Sequence, residues 1–127
     1  MAEPLYESKR DWEQDFQRYL DENRTLAYMM LKRAETLKER IALTQKNRKG
    51  EWESVTWGEF AGKIRAIAKA LIDLGLQPGE MCAIFSQNRA EWAISDLGIL
   101  STRAVSVPIY ATNSREEAEY IINDAGV

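Results

Sequence analysis

The 127 residues contain no histidine, which removes imidazole metal ligands and histidine general bases together. Cysteine occurs once, as Cys82 inside the apolar run 81–85, so a disulfide framework is excluded and a reducing compartment fits. With nothing basic beside it, Cys82 reads as a small buried strand residue rather than a reactive thiol. The 7 glycines are all isolated and lysine ends at Lys69, so the chain offers no glycine-rich phosphate cradle and no late lysine. No uncharged apolar run approaches the roughly 20 residues that span a bilayer. Residues 1–7 lack the basic and apolar regions of a secretory signal. Lys and Arg number 17 against 20 Asp and Glu, and the acidic excess lies wholly after residue 53. No basic stripe builds up, which argues against nucleic-acid partners. Adjacent carboxylates such as Glu116 and Glu117 lie on a solvated helix face, which is not an acid/base geometry.

What is present is a series of amphipathic elements with clear punctuation. A chain that is 45% hydrophobic and 29% charged is ordinary for one folded domain. Trp12, Phe16, Tyr19 and Leu20 share one face of a helix over residues 9–21, with Asp11, Glu13, Asp15 and Asp21 elsewhere on it. That acidic surface predicts docking on protein rather than lipid. Thr25 caps a second helix, with the core stripe Leu26, Met29, Met30, Ala34 and Leu37. Residues 41–45 and 52–57 flank the polar stretch 46–50, a hairpin signal with Gly50 available for positive φ. The basic hairpin tip reads as a solvated turn, with no helix N-terminus there to help hold a phosphate.

Thr56 and Glu59 form a capping box for a helix with the core face Phe60, Ala61, Ile64, Ile67, Ala68 and Leu71. Gly75 suits its C′ position, and Pro78-Gly79 suits a type II turn into strand 81–85. Asn88 and Glu91 repeat the capping logic for a helix with the stripe Ala90, Ala93, Ile94, Leu97 and Leu100. Gly98 inside it predicts a close helix–sheet approach. The run 104–109 then alternates Val105, Val107 and Ile109 with Ala104, Ser106 and Pro108, a strand suited to the buried interior of a parallel sheet. Pairing is expected to thin at Pro108, which has no N–H. Ser114 and Glu117 cap a last helix over residues 115–125, with Ala118, Ile121 and Ile122 inward and Gly126 ending it. Strand, helix and strand from 81 to 109 make a parallel βαβ unit. A helix packed on such a sheet normally returns as another strand; none follows, so the chain reads as cut. The chain is then expected to self-associate through the edge of strand 104–109, or to be only marginally folded.

Thr56-Trp-Gly-Glu-Phe60, Leu74-Gly-Leu-Gln-Pro-Gly79, Ser86-Gln-Asn-Arg-Ala-Glu-Trp92 and Asp96-Leu-Gly98 precede the run Val107-Pro-Ile-Tyr-Ala-Thr-Asn-Ser114. In this order and spacing they resemble the adenylate-forming (AMP-binding) enzymes, and within them the long-chain fatty acid–CoA ligases. The resemblance covers roughly residue 26 to the C-terminus. One departure is Thr102-Arg103, where the family commonly has a small residue followed by glycine. The resemblance implies an α/β fold: a parallel βαβ core with an adjoining β-hairpin and flanking helices, part of the larger N-terminal domain of an adenylate-forming enzyme. It divides the chain into an amphipathic segment, residues 1–23, and a truncated AMP-binding portion, residues 24–127.

In such enzymes a carboxylic acid attacks the α-phosphate of ATP, and the thiol of coenzyme A then displaces AMP from the acyl-adenylate. The loops and lysines that the family uses for this are absent here, so the resemblance implies a piece without catalytic, cofactor or metal residues of its own. ATP, magnesium, coenzyme A and a fatty acid belong to the longer parent, whose remainder is the implied partner, in the cytoplasm or peripheral to a membrane. Two weak contact candidates remain. Arg89, at a helix start, either touches a phosphate or is a surface residue completing the Asn88 cap. Tyr110, at the C-terminal end of a parallel strand, either faces a ligand or is a buried ring with a satisfied hydroxyl, the latter favoured. Rival functions are a non-catalytic module pairing with a larger ligase, and a small doubly wound nucleotide-binding protein, the latter disfavoured by the missing glycine loop.

Overall fold

The computed structural model describes residues 9–22 and 25–127. The expectations for residues 1–7, for a boundary at residues 23 and 24, and for the side chain of Asp11 lie outside the described residues. Along the chain run α1 (Lys9–Glu22), α2 (Leu26–Thr36), β1 (Ile41–Lys46), β2 (Trp52–Thr56), α3 (Trp57–Asp73), β3 (Met81–Ser86), α4 (Ala90–Ser101), β4 (Val105–Tyr110) and α5 (Arg115–Ala125). β1 and β2 form an antiparallel hairpin, and β3 and β4 pair in parallel across α4. The fold is therefore α/β, with a parallel βαβ unit beside a hairpin.

Local chemistry sets most element boundaries. Thr56 with Glu59 and Ser114 with Glu117 both close reciprocal capping boxes, so α3 and α5 start where their side chains satisfy the first backbone N–H groups. Hydrogen bonds from the Thr56 and Ser114 backbones hold the carboxyls of Glu59 and Glu117 below their ordinary range. Thr25 caps α2 through Tyr28 N–H at 3.1 Å. In the hairpin, Asn47 Oδ1 accepts from Lys49 and Glu51 N–H, and Gly50 takes φ +81°. At residues 77–80, Glu80 N–H donates to Gln77 O at 3.1 Å and Gly79 takes φ +86°, as a type II turn requires.

Two clusters share α3 and α4. Phe60 and Ile64 of α3 meet Ile94 and Leu97 of α4, with Met30 and Leu31 of α2 and Leu43 and Val55 of the hairpin around them. Ile84 of β3, Ile99 of α4 and Ala104 form the second, with Leu71, Leu76, Cys82 and Trp92. α4 thus lies between hairpin and parallel pair, burying Gly98 and Ile99 besides Ala90, Ile94 and Leu97 of its expected stripe, with Ala93 and Leu100 half-buried. α5 packs on β4.

Several expectations change. The inward face of α2 is turned by about one residue: Ala27 is buried and Leu31 packs on the core, while Leu26 is exposed. Ala34 and Met30 of the expected stripe do face inward, and contact with α3 and α4 adds Ala27 and Leu31 in place of Leu26. Gly98 marks a helix–helix contact rather than a helix–sheet one, since a Cβ there would lie 2.4 Å from Ile67 Cγ2 of α3. Pairing does not thin at Pro108, whose neighbours Val107 and Ile109 stay in register with Ala83 and Phe85. Val105 N–H donates to Glu80 O, so by alternation Pro108 faces the outer edge, where its missing donor breaks no bond inside the sheet. β4 is an edge strand, not a buried interior one, and Val105 is 43% exposed. Arg103, where the resembling family commonly has glycine, takes φ +67°. Cys82 is half-buried in β3.

α1 forms over the expected residues, and Tyr19 Oη reaches Met29 Sδ of α2 at 3.7 Å. Trp12 and Phe16 stack on each other at 5.1 Å rather than entering the core, and stay 45% and 46% exposed. Of this face, Tyr19 touches α2 at Met29, while Trp12 and Phe16 stay half-exposed.

Candidate functional site: the C-terminal end of the parallel strands

Open parallel sheets place ligands beyond the C-terminal ends of their strands, where loops enter the next helices. Here Ser86 and Tyr110 stand opposite each other at that end. From Ser86 the chain passes through Gln87, Asn88 and Arg89 into α4, and from Tyr110 through residues 111–114 into α5.

The start of α4 departs from its sequence signal. Arg89, not Asn88, is the N-cap residue, with φ −158° and no capping bond from its side chain. Instead Ala90 N–H donates to Gln45 Oε1 of β1 at 2.8 Å. A side chain 45 positions upstream in sequence therefore closes the helix N-terminus. The Arg89 guanidinium grips Glu91 with two bonds, Nε–Oε2 at 2.8 Å and Nη2–Oε1 at 2.9 Å. This contact, with smaller help from Gln45, lowers the Glu91 carboxyl to about 2, while the same bond raises Arg89. Glu91 is therefore ionised at neutral pH and lies in the first turn, where a carboxylate complements the helix dipole.

The hairpin tip also comes here. Gln45, Lys46 and Arg48 line an open groove of ≈ 580 Å³ with Gln87, Asn88 and Arg89. A helix N-terminus does approach the basic tip, contrary to expectation. It is already answered by Gln45 and Glu91, and no glycine in the turn lets a phosphate approach the backbone. Lys46 Nζ lies over the Trp52 ring at 5.2 Å. The residues of this turn thus do not fit the phosphates of ATP. Arg89 is a surface residue paired with Glu91, though it does not complete an Asn88 cap. Tyr110 is not buried: its ring is 77% exposed. Among the described residues little covers this side chain.

Gln45 is the residue that sequence reasoning missed. No local pattern signals it, because its role depends on the hairpin packing beside α4. Among the described residues, no group of three or more Cys, Asp and Glu is placed to hold a metal ion.

The N-terminal subdomain of NpsA from Klebsiella oxytoca shares the fold, with a TM-score of 0.72 at 22% identity over 80% of this chain and 26% of that one. Residues 30–127 match the AMP-binding enzyme family, and the chain belongs to it. It is 49% identical over 76 residues to the long-chain-fatty-acid–CoA ligase FadD15 of Mycobacterium bovis, covering 60% of this chain and 13% of that protein. It is 36% identical over 103 residues to the mouse long-chain-fatty-acid–CoA ligase ACSBG2, covering 81% of this chain and 15% of that protein. The chain therefore spans a small part of the length of these curated relatives.

Proposed function

We propose that this chain is the N-terminal piece of an AMP-forming long-chain fatty acid–CoA ligase and acts there as scaffold rather than as catalyst. The observation that carries this is the family match over residues 30–127 in a chain spanning 13% of its FadD15 relative. Residues 24–127 supply the folded portion, and residues 1–23 a separate amphipathic segment. ATP, magnesium, coenzyme A and a fatty acid are substrates and cofactors of the whole protein, in the cytoplasm or at a membrane surface. The chain's own residues support the non-catalytic role. The α4 N-terminus is closed by Gln45 and Glu91, and Arg89 is held in an ion pair. Tyr110 is the better placed of the two contact candidates, being exposed at a strand's C-terminal end.

Pyrophosphate release from ATP with palmitate and coenzyme A tests this directly. The purified chain is expected to match a blank. Turnover above the blank, with contaminating ligase excluded, would overturn the scaffold role. Reading the coding DNA past Val127 tests the parent: a continuing frame with a Ser/Thr/Gly-rich loop ending in lysine is expected. A stop codon there would favour a separate module that pairs with a ligase.

A further inference from the structure

We propose that the Gln45 carboxamide is a two-ended latch between the hairpin and the βαβ unit, and the positioning residue for the turn 86–89 at the C-terminal end of β3. Its oxygen accepts from Ala90 N–H at 2.8 Å, in a partly buried contact. Its side chain also hydrogen-bonds the Glu91 carboxylate, which only accepts when ionised, so the amide nitrogen is the donor there. One planar group thus answers an orphan backbone donor of the first helical turn and the carboxylate of the same turn. Among side chains of this length an amide alone supplies acceptor and donor together; glutamate lacks the donor and methionine lacks both.

The hairpin is otherwise held at its base. Trp57 N–H donates to Arg40 O at 2.9 Å and Gly58 N–H to Lys38 O at 3.0 Å, while Ala42, Leu43 and Val55 pack on the core. Beyond Gln45 the side chains turn to one another: Lys46 lies over Trp52, and Asn47 Nδ2 donates to Glu51 and Glu53. Among the described residues, the hydrogen bonds from the hairpin to the start of α4 come from Gln45. The turn has little of its own to hold it. Ser86 Oγ donates to the adjacent Gln87 O at 3.1 Å, and Arg89 makes no side-chain capping bond. Arg89 reaches on to Glu91, which Gln45 also holds. Anchoring Ala90 and Glu91 to β1 therefore fixes how residues 86–89 leave the strand, at the end where open parallel sheets place ligands. The latch rests on the scaffold reading for its role, yet its test reads backbone motion and not turnover, so the two fail separately.

Amide hydrogen exchange and backbone relaxation of the chain test this. Gln45→Met, of similar length, removes both bonds. Exchange at Ala90 should quicken at least about tenfold, with the core amides of Ile64 and Ile99 within about twofold of wild type. Order parameters at residues 87–89 should fall below about 0.6. Gln45→Glu separates a latch from a plain helix cap. A plain cap would hold as well or better, since a carboxylate suits a helix N-terminus. The latch instead fails, because the new carboxylate faces Glu91, and Ala90 exchange quickens as in Gln45→Met. Adding Glu91→Gln returns a donor opposite that carboxylate and should bring Ala90 exchange back within about threefold of wild type. The proposal is overturned by unchanged Ala90 exchange or rigid residues 87–89 in Gln45→Met. It is equally overturned by Ala90 exchange that Gln45→Glu leaves unchanged or slows, or by a double variant that does not recover. Should circular dichroism show Gln45→Met unfolded, Gln45→Glu and the double variant decide by the same criteria.

Discussion

At the scale of single residues, small changes of volume and charge have definite costs here. A Cβ on Gly98 would lie 2.4 Å from Cγ2 and 2.8 Å from Cβ of Ile67. The second atom belongs to a branched side chain on a packed helix, so relief requires α3 and α4 to separate. Gly98→Ala is expected to destabilise the chain by about 1–3 kcal/mol, the usual cost of overpacking, despite alanine's better helix propensity. A urea midpoint no lower than wild type would contradict that close contact. Glu91 gives a pH signature. Its carboxyl drops from 4.5 to about 2 on folding, so its contribution is full above pH 4.5 and fades as pH falls toward 2. Solvent screening of this half-exposed pair with Arg89 holds the effect below about 1 kcal/mol. Comparison of wild type with Glu91→Gln between pH 6 and pH 2 should show the difference in stability shrinking with acid.

At the scale of elements, turns and caps decide where the chain reverses. Gly50 and Gly79 both have positive φ and open space around a would-be Cβ, so sterics with neighbours do not separate them. Their attachments do. Gly79 N–H donates to Arg103 O at 2.9 Å, tying the turn before β3 to the entry of β4, whereas Gly50 N–H bonds only within its own hairpin turn, to Asn47 O. Valine at either position is strained by ~1–3 kcal/mol. Gly79→Val is expected to lower the urea midpoint more, because the parallel pair must shift with it while the hairpin tip adjusts alone. Equal midpoints would remove the distinction.

At the scale of the whole molecule, the body formed by α2 to α5 carries α1 as a weakly attached appendage. Its aromatic face is exposed enough to meet a surface, but Arg18, the described cation beside the rings, is paired with Asp15, and Asp21 is held by Gln17. Flotation with anionic vesicles is expected to leave the chain unbound, since interfacial helices use lysine and arginine to approach such lipids. Salt-sensitive co-flotation would show that α1 docks on membrane instead.

The sequence by itself determined the elements, because caps and periodicity act over three to eight residues. Thr56 with Glu59, Ser114 with Glu117, and Gly79 after Pro78 place α3, α5 and the turn before β3 without reference to anything distant. Ordered motifs from Thr56 to Ser114 were also enough for the family. Tertiary structure alone decided that Ala27 and Leu31 rather than Leu26 complete the inward face of α2, why Gly98 is glycine, and that Gln45 rather than Asn88 serves the α4 N-terminus. It also decided that Tyr110 is exposed and that Pro108 lies on the outer edge. Each of these depends on contacts between segments far apart in the chain, and a local pattern carries no record of which neighbour will arrive.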